Sequence, residues 1–151
     1  MRKESVLCYN MTTFDANNIE GIVPVGRQFD FWGDAETELM ILNDGDESLC
    51  LGYKNVKFFD SIYVGDQMNF KATLLEAGNS ARTCKVQSFR VATSAKRLGV
   101  DGAKAGDMVY YDEPQLVGEG TVTLVVRKHL QRGNQPDGLI EDPWADIEEY
   151  L

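Results

Sequence analysis

The chain has 151 residues, 43% of them hydrophobic, which is enough for one domain that buries roughly 68–70% of its unfolded surface. No apolar run approaches the ~18 residues of a membrane span, and Met1-Arg2-Lys3-Glu4-Ser5 leads into a strand-like segment rather than a signal peptide's apolar core, so a cytoplasmic protein without membrane contact is expected. The net charge of −9 argues against nucleic acid as a partner.

That charge is uneven. Residues 131–151 hold Asp137, Glu141, Asp142, Asp146, Glu148 and Glu149 against Arg132 alone, so the body of the domain can still bind an anion where basic residues cluster. Ser5 to Met11 reads as a short first strand and Asn17 to Pro24 as a polar loop. From Val25 to Asp46 the chain reads as one long helix. Val25, Phe29, Trp32, Ala35, Leu39 and Leu42 recur at the three-or-four spacing of a single buried face, and Asn43-Asp44-Gly45 supplies the stop. Asp44-Gly45-Asp46 also looks like a fragment of a calcium loop, but the rest of that ligand set is missing.

The remainder reads as strands. Glu47 to Phe59 is β-like, with Leu49, Leu51 and Tyr53 on one face and Val56 and Phe58 continuing after a shift. Asp60 to Asp66 forms a turn with the apolar plug Ile62-Tyr63-Val64. From Asp66 to Glu76, Met68, Phe70, Ala72 and Leu74 alternate with polar residues, as in a half-buried strand. Gly78-Asn79-Ser80 signals a hairpin, and Arg82 to Ala92 pairs back with a bulge expected between Val86 and Phe89. Residues 94–110 read as a Gly/Ala-rich loop, Gly118 to Lys128 as the last strand. The domain is placed at 1–133 and an acidic tail at 134–151, with Pro136, Gly138, Pro143 and a short helix at Trp144 to Leu151.

One helix followed by antiparallel strands predicts an α+β domain whose sheet wraps the helix. An open edge strand in such a sheet favours pairing between subunits, so a dimer at least is expected. Cys8, Cys50 and Cys84 each lie in an apolar or strand-like run and read as reduced, buried thiols. With no paired-cysteine motif and His129 the only histidine, no metal site is expected.

Two features carry chemistry. Asp34 and Glu38 lie four apart on one helix face, beside the apolar stripe, where burial would raise a carboxylate's pKa and let it exchange protons near neutrality. The helix N-terminus offers unpaired N–H groups to a carbonyl oxygen that becomes negative, and Gly26 lets that carbonyl approach the backbone closely. Gly26 and Asp34 are roughly 12 Å apart along the helix at ~1.5 Å per residue. They can serve one carbonyl only if the site is built between two subunits or the helix runs past the substrate.

Trp32-Gly33-Asp34, Thr37-Glu38-Leu39-Met40, Asp44-Gly45-Asp46, Leu51-Gly52-Tyr53-Lys54, Tyr63-Val64-Gly65-Asp66, Gly78-Asn79 and Thr83-Cys84-Lys85, with Glu113-Pro114, Gly118 and Arg132-Gly133 further on, resemble the β-alanyl-CoA and 3-aminobutyryl-CoA ammonia-lyases of the hot-dog superfamily. The likeness covers residues 5–133. It implies a hot-dog fold, an acyl-CoA substrate that brings coenzyme A with it and needs no other cofactor, and homodimers that share sites and assemble further, for instance as a trimer of dimers. Asp34 is then the leading acid/base and Glu38 its partner, or the reverse, with Gly26 and Arg27 at the thioester. Arg27, Lys54 and Lys85 match family positions and would meet CoA phosphates, with Asn79 beside the CoA groove. The chain departs from the pattern at Asp15-Ala16-Asn17-Asn18, where the family carries Asp-Ala-His-Tyr, and at Pro24-Val25-Gly26. An acyl-CoA thioesterase and a non-catalytic acyl-CoA-binding protein are the other readings that this fold leaves open.

Overall fold

The structure is a computed structural model that describes residues 1–135; the expected tail helix at Trp144 to Leu151 and the tail's prolines lie outside the described residues. In chain order the elements are β1 (Glu4–Asn10), β2 (Ile22–Val23), α1 (Val25–Asp44), β3 (Leu49–Phe58), β4 (Ile62–Tyr63), β5 (Gln67–Ala77), β6 (Ala81–Ser94), β7 (Met108–Val125) and a 3-10 turn at Lys128–Leu130. Strands β1-β5-β6-β7-β3 form one antiparallel sheet in that order, and β2 pairs with β4 in a small ribbon. The sheet wraps α1, as the α+β reading requires. Among the described residues no helix is long and apolar enough to cross a membrane.

α1 forms because its periodic apolar residues meet the inward faces of β5, β6 and β7. Phe31 stacks on Phe70 at 4.5 Å, and Trp32 lies parallel to Phe58 at 6.0 Å while its indole N–H donates to Ser88 Oγ at 2.9 Å. Leu39, Met40, Val86, Val117, Val122 and Leu124 close the core around them. Burying each such side chain stabilises the fold by about 1.5–3 kcal/mol before entropy is counted. Gly45 ends the helix at φ 72°, a left-handed conformation that glycine takes without a Cβ clash, and its N–H bonds Ile41 O at 2.8 Å.

Arg82 on β6 closes this end. Its guanidinium holds both oxygens of Asp44 at 3.0 Å, with both side chains 3% exposed. α1 has no basic residue in its last turn, so the compensating charge arrives from the sheet. A second buried arginine, Arg90, binds Asp66, Asp60 and Ser61 O and ties β6 to the turn before β5.

Several expectations need correction. Val25 is 52% exposed, and Phe31 and Met40 take places on the buried stripe. The segment from Asn17 to Pro24 is not all loop, since Ile22 and Val23 pair with Tyr63 and Ile62. In β6 the inward alternation runs unbroken through Cys84, Val86, Ser88 and Arg90, so no face switch occurs between Val86 and Phe89; the polar inward residues only hid it. The irregularity there belongs to β7, which carries an extra residue at Val117.

β7 starts at Met108, inside the expected loop, and ends at Val125, short of Lys128. Met108 to Tyr110 pairs with Ser94 to Ala92, and pairing resumes only at Gln115 opposite Arg90. Pro114, which has no N–H to give, lies in that interruption. Leu49 and Leu51 are 54% and 69% exposed rather than inward, because β3 is an edge strand. Only Cys84 is a buried thiol; Cys8 and Cys50 are exposed, on the two edge strands.

Candidate active site

The two expected acids lie on the side of α1 facing β1. Asp34 is exposed and Glu38 half-buried, so neither is sealed in the core of one chain. The Tyr9 hydroxyl, from β1, donates to Asp34 Oδ2 at 2.9 Å and fixes that carboxylate's orientation. Burial first, then the hydrogen bond to Asp34, then the charges of Asp34 and Glu38 push the Tyr9 phenol up to about 12. It is therefore a hydrogen-bond donor throughout the neutral range. Tyr9 is itself set by Phe31, 4.7 Å away between ring centres, so a core residue positions a surface site.

At the other end of the helix, Pro24 occupies the N-cap without a side-chain cap, and no acid sits in the first turn. Gly26 is exposed, and a Cβ built there would meet nothing within 4 Å among the described residues. At Gly33, next to Asp34 and half-buried, a Cβ would likewise meet nothing within 4 Å among the described residues. Glycine in a helix interior costs about 1 kcal/mol relative to alanine, and no packing among the described residues asks for it at Gly33. Both leave room for something outside the protomer. Beside Pro24 and Val25 opens a cavity of about 400 Å³, lined also by Gln28, Phe58, Phe59 and Ile62.

Arg27 is not free for a thioester or a phosphate. It binds Asp15 at 3.0 Å and Asp30 at 2.9 Å and lies over the Phe31 ring. Asp15 is buried and also takes the Thr12 N–H, so this pair anchors the loop before the helix to its first turn. Asn18 closes the same loop on itself through both hydrogen bonds to Ile22.

Lys54 and Lys85 do come together. Both are in register with Thr121, from either side, so the three form one cross-strand row on the sheet face turned away from α1. Asn79 stays apart, in the hairpin near the C-terminal end of α1, where its carbonyl accepts from Gln131. In one protomer, therefore, the expected coenzyme contacts and the helix acids do not share a groove.

One acid was missed. Glu36 is 4% exposed and accepts a 2.6 Å hydrogen bond from the Tyr53 hydroxyl under the edge strand β3. Burial raises its pKa to about 7, against the pull of the Tyr53 hydrogen bond. The signal was present: Glu36 falls four residues after Trp32 and three before Leu39, on the stripe itself.

No protein-family model matches the chain. It is 33% identical to the 3-aminobutyryl-CoA ammonia lyase of Acetoanaerobium sticklandii over 129 residues, which are 85% of this chain and 98% of that protein. The chain belongs to the acyl-CoA ammonia-lyase family. Among solved structures, the β-alanyl-CoA:ammonia lyase from Clostridium propionicum superposes with a TM-score of 0.79 at 34% identity, covering 91% of this chain and 94% of that one. A hexameric thioesterase from Yersinia pestis has a TM-score of 0.68 at 16% identity over 90% of this chain and 99% of its own, and so shares the hot-dog fold.

Proposed function

We propose that the protein eliminates ammonia from a short β-aminoacyl-CoA, such as β-alanyl-CoA or 3-aminobutyryl-CoA, to give the enoyl-CoA. The observation that carries this reading is Asp34, held by Tyr9 on an uncovered helix face, in a chain of the ammonia-lyase family. The proton α to the thioester is weakly acidic. Asp34 removes it while N–H groups at the start of α1, around Gly26, stabilise the enolate oxygen; a positioned base contributes typically ~10²–10⁴-fold. The enolate electrons then form the Cα–Cβ double bond as the β-C–N bond breaks, and nitrogen leaves as ammonia with its bonding pair. Glu38 holds the β-ammonium as it departs.

Asp34 and Gly26 reach one substrate in this reading because they come from two copies of the chain. The exposed Leu49 and Leu51 on the open edge of β3, and the exposed Phe14 and Ile19 before α1, support a homodimer, with further assembly into a trimer of dimers. Lys54 and Lys85 would meet CoA phosphates from their shared row. Coenzyme A enters with the substrate, and the chemistry asks for no other cofactor.

The test is the absorbance of the enoyl-thioester after mixing purified protein with β-alanyl-CoA and, separately, 3-aminobutyryl-CoA, with free thiol followed in parallel. A rise that Asp34→Asn abolishes establishes the lyase and ranks the substrates. Free CoA without enoyl product moves the chain to thioester hydrolysis, and silence in both signals defeats the reading.

A further inference from the structure

A cavity of about 530 Å³ opens at the C-terminal end of α1, walled by Ile41, Leu49, Val125 and Leu130 with Arg127 and Arg132 among them. Leu49 and Leu130 are 54% and 38% exposed, so apolar surface lies uncovered beside the start of edge strand β3. Arg127, Lys128 and Arg132 fall within six residues and outnumber Asp46 and Glu47, the acids that border the same cavity. Arg132 is tied to Gly45 O. The exposed Arg127 guanidinium meets no carboxylate among the described residues.

The described chain ends at the rim of this cavity. Gln135 N–H donates to Leu42 O at 2.8 Å, and a Cβ on the cavity-lining Gly45 would come within 3.0 Å of the Gln135 amide nitrogen. Residues 136–151 carry all six acids of the tail, no lysine or arginine, and the aromatic Trp144 and Tyr150. Trp144 is nine residues beyond Gln135, a reach of up to roughly 30 Å at ~3.3 Å per residue, so the cavity lies within its span.

We propose that the chain's own acidic tail, residues 136–151, docks at this cavity, with Trp144 on its apolar wall and the tail acids against Arg127 and Lys128. Exposed ion pairs contribute little one at a time, so the acids set the direction and the covered indole supplies most of the attraction. A short tether keeps the tail at high effective concentration beside the cavity, which favours it over a second copy or any free partner. Docked, the tail covers Leu49 and leaves the β3 edge from Leu51 onward open to another copy of the chain.

The experiment reads Trp144 fluorescence in the full chain at low salt. The chain has two tryptophans and Trp32 is sealed in the core, so subtracting the spectrum of a Trp144→Phe variant isolates Trp144. The expected result is emission at shorter wavelength than in the urea-unfolded chain, with slow quenching by acrylamide. Arg127→Glu, a charge reversal at an exposed position, should return the emission to the unfolded wavelength and speed the quenching. Neutralising the tail instead, with Glu141→Gln, Asp142→Asn and Asp146→Asn, must do the same and serves where Arg127→Glu does not fold. Unfolded-like emission in wild type overturns the proposal. So does a shift that neither variant removes, which would put the tail on another surface. A shift that disappears on dilution overturns it as well, because a second copy would then be holding the tail.

Discussion

The Tyr53 hydroxyl on edge strand β3 donates to Glu36 Oε1 on α1 at 2.6 Å, and this bond clamps the strand to the helix beneath it. The pair lies among Trp32, Phe29 and Phe58, with Phe29 5.0 Å from the Tyr53 ring. Burial, then Glu36, raises the Tyr53 pKa, so it remains the donor, and burial, then Glu36, likewise keeps the Cys84 thiol protonated against the pull of Arg82.

Stability should therefore depend on pH through Glu36. Its folded pKa of about 7 is above its ordinary 4.5, so the folded state binds more protons than the unfolded state between those values. The stabilisation is fully present below pH 4.5 and is lost as pH rises through about 7. Glu36→Gln, which still accepts from Tyr53, should flatten that fall and be more stable than wild type at pH 8, by up to about 3 kcal/mol. Urea midpoints at pH 5, 6, 7 and 8 measure it; parallel curves for the two proteins would contradict it.

Asp34→Asn should lower lyase turnover by roughly 10²–10⁴-fold while changing stability by no more than about 0.5 kcal/mol, because the residue is exposed. Tyr9→Phe, which frees the Asp34 carboxylate to rotate, should fall between that variant and wild type. Steady-state rates beside thermal melts separate the two effects.

The Asp44–Arg82 pair should be a structural lock. Arg82→Met leaves the Asp44 carboxylate buried without its partner and should destabilise the fold by about 3–5 kcal/mol. Adding Asp44→Leu should recover much of that loss, since the stranded charge is then gone. Chemical denaturation of the two variants checks the recovery, and equal stability would refute it.

Gly33→Ala isolates the role of the open helix face. Among the described residues the added methyl meets nothing within 4 Å, so helix propensity should make the protomer more stable by up to about 1 kcal/mol. If a substrate or second copy lies against this face beside Asp34, turnover should drop at least about tenfold all the same. Unchanged turnover would mean that the face stays in solvent.

Much of this architecture was legible in the residues because it rests on local periodicity. The stripe from Phe29 to Leu42, the alternation from Met68 to Leu74, the Gly78-Asn79-Ser80 hairpin and the Gly45 stop are each settled by side chains within one turn or one strand step of one another. The ordered segments from Trp32 to Gly133 likewise pointed to the family to which the chain belongs.

Only the tertiary structure decided which polar residues are inside. Ser88 and Arg90 occupy inward positions on β6 because Trp32 and Asp66 wait there as partners, and both partners are distant in sequence. Asp34 and Glu36 are two residues apart and look alike as letters, yet the sheet covers one and leaves the other to Tyr9 and solvent. Gln28 reads as an ordinary helix residue until β7 sets Gly118 opposite its amide. Burial of a charged or polar group is a property of what packs against it, and that is fixed by strands that pair across the fold, not by neighbours along the chain.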